Sequence, residues 1–142
     1  MSLFIDTSAL YALLDGDEPR HADVAAAWRT VTDNGRVLFT SNYVLVETFA
    51  LVQRRLGFEA VRGLADAFVP LLQPVWVDEE LHSAAVASLF TAAQRHLSLV
   101  DCASFELMRR LGLTDVLALD ADFARQGFNL LPAGQSGTEG VH

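Results

Sequence analysis

The chain has 142 residues, 51% of them hydrophobic, with a formal charge of −8 and one cysteine. That is enough for one domain with a real core, it excludes a disordered chain, and no apolar run is long enough to span a bilayer. All ten basic residues are arginine, which excludes Schiff-base chemistry, P-loop phosphate binding and a lysine general base, while the acidic balance argues against indiscriminate coating of nucleic acid.

The first residues carry no basic stretch and enter a strand pattern at once, so no signal peptide is expected. With a lone Cys102 that has no internal disulfide partner, the cytoplasm is the expected compartment. Leu3 to Ile5 reads as a buried strand, and Asp6-Thr7-Ser8 turns it into a helix from Ala9 to Leu14. Pro19 opens a second helix, with apolar residues at Val24, Ala27, Trp28 and Val31, which Asn34-Gly35 stops. Val37 to Phe39 is a second strand; Thr40-Ser41-Asn42 caps a helix from Tyr43 to Leu56, ended by Gly57. Phe58 to Leu72 reads as helical, and Pro74 opens a third strand over Val75 to Val77.

Asp78 caps a helix reaching about His96, and Ser98 starts another that ends at Gly112. Val116 to Leu119 is the fourth strand, Asp122 to Arg125 a short helix, and Asn129 to Leu131 an edge strand. The expected organisation is a single domain over residues 1–132 with a flexible polar tail over 133–142. Strands alternating with helices imply an α/β/α sandwich on a short-stranded parallel sheet.

In such a sheet the carboxyl ends of the strands share one edge, where sites form. Asp6 ends the first strand and Asp120 the fourth; Glu47 and Asp101 lie near the starts of helices that begin near that edge. Two carboxylates about 5 Å apart repel by roughly 3 kcal/mol at an effective dielectric of 20. Acids gathered this way either take up protons or hold a cation. Oxygen-only ligands suit Mg²⁺ or Mn²⁺, which acidifies a bound water and polarises a phosphoryl oxygen. Taken singly, each acid has a bland alternative: a helix cap for Asp6, Asp101 and Asp120, an arginine partner for Glu47. Thr7 and Ser8 already offer capping oxygens beside Asp6, and Glu47 sits among Val44, Leu45, Val46 and Phe49. The joint pattern therefore points to a metal-dependent nuclease.

Four segments carry a resemblance: Phe4 to Leu10, Ser41 to Thr48, Leu99 to Phe105 and Ala118 to Phe123. In their order and spacing they resemble PIN domains, and among these the VapC-type toxins of prokaryotic toxin–antitoxin pairs. The resemblance implies a PIN-like endoribonuclease in which Asp6 is the central metal ligand. Glu47 and Asp101 complete its site, and Asp120 serves the first or a second ion. Asp122 competes with Asp120 for that last role, and Ser8 or Thr7 supports the first acid. It also implies an RNA substrate and an antitoxin partner.

Arg54 lies seven residues after Glu47 on the same helix, so Arg54, Arg55 and Arg62 are candidates to hold RNA phosphates; an exposed salt-bridging face is the competing account. The four histidines show no metal-ligand spacing and are expected at the surface. Cys102 reads as core, and Trp28 and Trp76 as core or interface. The apolar helices between Tyr43 and Leu72 suggest a homodimer or a bound antitoxin segment. The competing functions are a PIN-like module that binds RNA or protein without cutting, a small-molecule phosphatase, and a receiver-type signalling domain. The last is disfavoured by the absence of lysine.

Overall fold

The computed structural model describes residues 1–133; the expected tail from Gln135 to His142 lies outside them. Five parallel strands form one sheet in the order β3-β2-β1-β4-β5. They are β1 (Ser2–Ile5), β2 (Val37–Ser41), β3 (Gln73–Val75), β4 (Asp115–Leu117) and β5 (Asn129–Leu131). The helices are α1 (Thr7–Leu14), α2 (His21–Asp33), α3 (Asn42–Leu56), α4 (Phe58–Gly63), α5 (Glu79–Ala92), α6 (Leu99–Leu111) and α7 (Asp122–Arg125).

The central strand β1 is all apolar after its first residue, and Leu3, Phe4 and Ile5 are fully buried, as expected for a parallel strand covered on both faces. Leu10 and Ala12 of α1, Val24 and Val31 of α2, Val44 of α3, and Phe105 and Met108 of α6 pack on it in one core. From β1 the chain builds outward through β2 to β3, then crosses back to place β4 on the other side of β1. That reversal opens a crevice at the carboxyl ends of β1 and β4, the switch point at which open parallel sheets bind ligands.

Several elements differ from the sequence expectation, among them the fourth strand, which ends at Leu117 and not at Leu119. Strand β3 lies two residues earlier than Val75 to Val77 and contains Pro74; it is an edge strand, where a missing amide costs little. The single helix expected over Phe58 to Leu72 is α4 followed by a π turn (Leu64–Phe68) and a 3-10 turn (Val69–Leu71). Pro70 lacks the amide that would continue the α-helical pattern. Helix α5 stops at Ala92, with Ala93 left-handed at φ 49°, instead of reaching His96. Between α3 and α4, Gly57 adopts φ 91° and ψ 179°, a conformation open essentially only to glycine. No described helix is long and apolar enough to cross a membrane.

Candidate active site

The acids reach the crevice by separate local routes. Asp6 follows β1 directly and is the N-cap of α1, its Oδ2 accepting from the Ser8 amide at 3.2 Å. Although Thr7 and Ser8 offer capping oxygens, the cap is Asp6 itself, because its extended backbone leaves the carboxylate over the first turn. Asp101 stands at the third position of α6 in a reciprocal capping box with Ser98, each side chain accepting from the other's amide at 3.0 and 3.1 Å. Ser41 caps α3 and sets its direction, which brings Glu47 over the same edge. Asp120 does not follow a strand directly: β4 ends at Leu117, and Asp120 lies in the loop beyond, its Oδ1 accepting from the Asp122 amide at 2.9 Å.

These four carboxylates line one cleft of about 490 Å³, together with Thr7, Ser8, Ala50, Leu51, Arg54, His96 and Ser98. Ser8 is the hinge between its two halves. Its hydroxyl donates to Asp6 Oδ2 at 2.8 Å and accepts from the Leu119 amide at 2.9 Å, tying the ends of β1 and β4 together. Thr7 faces inward instead. Its hydroxyl donates to the Val44 carbonyl at 3.4 Å and accepts from Thr48 at 3.0 Å, pinning α1 to α3.

The acids feel one another. Burial first, then the charges of Asp101 and Glu47, push the Asp6 carboxyl up to about 7, against the hydrogen bonds from Ser8 that favour its ionised form. Asp101 is also raised, by burial and then by Glu47 and Asp122, with Ser98 opposing. Asp120 is raised by burial and by the charges of Asp101 and Asp122. A buried carboxyl held near neutrality is a group with an unmet electrostatic demand.

The PIN domain family pattern matches residues 3–129 of the chain. The chain belongs to the PIN domain family. It is 34% identical over 127 residues to the 23S rRNA-specific endonuclease VapC20 of Mycobacterium tuberculosis, covering 89% of this chain and 95% of that protein. The crystal structure of the Mycobacterium tuberculosis VapC20, described as a sarcin-ricin loop cleaving toxin, superposes with a TM-score of 0.80 at 32% identity over the same shares. VapBC2 from Rickettsia felis, bound to a promoter DNA fragment, shares the fold with a TM-score of 0.68 at 13% identity, over 92% of this chain and 97% of that one.

Whether this PIN site suits a divalent cation can be judged from its donors. They are hard carboxylate oxygens with repelling charges, as Mg²⁺ or Mn²⁺ prefers. Among the described residues, however, no three His, Cys, Asp or Glu side chains already stand where they would share an ion. Local hydrogen bonds fix three of the acids: Ser8 holds Asp6, Ser98 holds Asp101, and the Asp122 amide holds Asp120. The donor chemistry fits: each of these three acids engages one oxygen locally and keeps the other for an ion.

The remaining candidates fall apart spatially. Asp122 is nearly buried, bonded by Arg125 at 2.6 Å and facing His96 at 3.4 Å, and is not on the cleft lining. Arg54 is on the lining, whereas Arg55 lies over the Tyr11 ring and Arg62 over Phe58 beside Glu59. Cys102 is buried in a small cluster with Ala85 and Ala103, and burial pushes its thiol up, away from nucleophilic use. Trp28 packs edge-on against Phe68, while Trp76 is 70% exposed. Sequence reasoning missed His96. The sequence suggests a helix reaching about His96, and only the early stop of α5 at Ala92 leaves His96 on a loop that lines the cleft.

Proposed function

We propose that the chain is a metal-dependent endoribonuclease, the toxin of a toxin–antitoxin pair, with residues 1–132 as the working unit in the cytoplasm. One observation carries the reading: four carboxylates from four remote segments line a single cleft beside one arginine. Asp6, Glu47, Asp101 and Asp120 would hold Mg²⁺ or Mn²⁺, with Asp122 behind them. Bound there, the ion would neutralise the cluster, acidify a water and polarise a phosphoryl oxygen. The chain's own residues do the rest. Ser8 orients Asp6 and couples it to the loop that carries Asp120. Arg54 offers a donor-only cation to a phosphate in the cleft, and Ala50 and Leu51 add apolar lining.

The likeness to VapC20, a 23S rRNA-specific endonuclease that cleaves the sarcin-ricin loop, makes ribosomal RNA the first substrate to try. A ribonuclease that attacks such a target must be restrained, which supports an antitoxin partner. We also propose a homodimer. Val46 and Trp76, each 70% exposed, flank a hollow lined by Asn42, Leu45 and Phe49, an apolar surface that a second copy would cover. The purified protein should cleave ribosomal RNA only with Mn²⁺ or Mg²⁺, and Asp6→Asn should abolish cleavage with its circular dichroism unchanged. Metal-independent cleavage, or equal activity in the variant, rejects the proposal.

A second reading, a PIN fold that binds RNA or protein without cutting, draws on the acids that are not yet converged. Manganese binding without turnover on any RNA would favour it.

A further inference from the structure

The loop from 93 to 98, between α5 and α6, borders both the acidic cleft and a second hollow. His96 and Ser98 line the cleft; Leu97, between them, lines the hollow. Helix α6 divides in the same way, with Asp101 in the cleft and Cys102 in the hollow. The hollow has a volume of about 300 Å³, at the small end of ligand pockets, which run from roughly 300 to 1,000 Å³. Ala87, Ala92 and Leu97 give it apolar walls, and Glu106, Arg109 and Gln126 give it charge and polarity.

Those three polar groups are held in place. Glu106 Oε2 accepts from the Ser88 hydroxyl at 3.1 Å, which ties α6 to α5. Glu106 Oε1 has no partner among the described residues. The Arg109 guanidinium lies over the Phe128 ring, 5.5 Å from its centre, and its Nη1 is 3.8 Å from Glu106 Oε2. Its Nη2 donates to Gln126 Oε1 at 2.6 Å. Arginine only donates, so the amide oxygen is fixed towards it and the Gln126 amino group is left for a ligand. The hollow therefore presents an acceptor-only carboxylate beside two donors.

Among the RNA bases, only guanine carries two adjacent donors, N1–H and the N2 amino group, followed by an acceptor, O6. The donors match the paired oxygens of a carboxylate, and O6 matches the donors of Arg109 and Gln126. Adenine, cytosine and uracil each carry an acceptor directly beside their donor, which would face a carboxylate oxygen. Glu106 stands five residues after Asp101, about 7.5 Å along the helix axis. A strand with a phosphate among the acids can thus cross the loop and set a neighbouring base in the hollow. Splayed-out bases of this kind are how single-stranded RNA is read.

We propose that the hollow takes a guanine base of the RNA strand held in the cleft, with Glu106 reading N1–H and the N2 amino group, and so directs cutting to phosphates near guanosine. The proposal rests on the nuclease reading of the adjoining cleft, and binding separates the two. Fluorescence anisotropy in Ca²⁺, which suppresses turnover, compares oligouridylate with versions carrying one central guanosine, inosine or adenosine. Cut sites are mapped separately in Mn²⁺.

One guanosine should raise affinity about tenfold, the discrimination of one bidentate contact. Inosine, which lacks the N2 amino group, should lose most of that gain, and adenosine all of it. Glu106→Gln keeps an oxygen for Ser88 and loses the paired acceptor; it should bring guanosine and adenosine level with circular dichroism unchanged. Arg110→Gln, on the same helix but outside the hollow, should leave the preference intact. In Mn²⁺ the cuts should fall at one fixed distance from the guanosine. No gain from guanosine, inosine bound as well as guanosine, or a preference that survives Glu106→Gln overturns the assignment. Should that variant fail to fold, the inosine comparison in wild type decides alone. The expected ratios in a protein that cleaves nothing overturn the nuclease reading alone and support the guanine site.

Discussion

Replacing Asp6 by Asn asks whether the cleft stores electrostatic cost that a cation relieves. Asn keeps the shape and an oxygen for the Ser8 amide, but cannot ionise. In the fold Asp6 is 4% exposed and its carboxyl is pushed from 3.8 up to about 7, chiefly by burial. A group raised on folding contributes stability that is complete below 3.8 and is lost as pH rises through about 7. That interval corresponds to about 4 kcal/mol between the two protonation states. Hydration of the open cleft and rearrangement of its neighbours reduce this, so metal-free Asp6→Asn should exceed wild type by about 2–4 kcal/mol at pH 8 and match it at pH 4.

Urea denaturation in chelator reads this directly, as a midpoint higher by about 1–2 M at pH 8. The variant should keep a shallower loss of stability with pH, because Asp101 and Asp120 are raised in the same direction. Adding Mn²⁺ should then stabilise wild type and not the variant, since a ligand that binds only the folded form raises its stability. A variant no more stable than wild type at pH 8 would mean that the buried Asp6 charge carries no cost, and the argument for a cation would lose its physical basis.

Ser8→Ala removes the hydroxyl between Asp6 and the Leu119 amide. It should cost about 1–3 kcal/mol by urea denaturation, because an amide is left without its partner, and raise the pH at which Asp6 ionises. Gly57→Ala places a side chain at φ 91° and ψ 179° and should cost about 1–3 kcal/mol with little change in cleavage, the site lying elsewhere. Arg54→Gln should weaken RNA binding across sequences and reduce the salt slope by about 1, whereas Arg62→Gln, held against Phe58 and Glu59, should do neither. An unchanged slope in the first variant would remove Arg54 from the phosphate path.

Much of this protein was legible in the order of its residues. An apolar run closed by Asp6, a capping Ser41 before Glu47, and a Ser98–Asp101 pair are local signals, because caps and buried strands are decided within a few residues. Alternating strands and helices then dictate a parallel sheet, and a parallel sheet dictates a shared edge. The breakdown of the Phe58 to Leu72 helix and the shift of β3 onto Pro74 were not legible, since an edge position is a property of the sheet and not of the segment.

The same division runs through the site. That acids meet was set by strand order, which the motifs carry. How they meet was settled by contacts across the fold. The Ser8 hydroxyl finds an amide at Leu119, and Asp122 turns to Arg125 and His96 and away from the cleft. Arg54 stays at the cleft while Arg55 and Arg62 settle on aromatic rings. Hydrogen bonds and ring contacts of this kind join residues far apart in the chain, so only the folded arrangement could select among them.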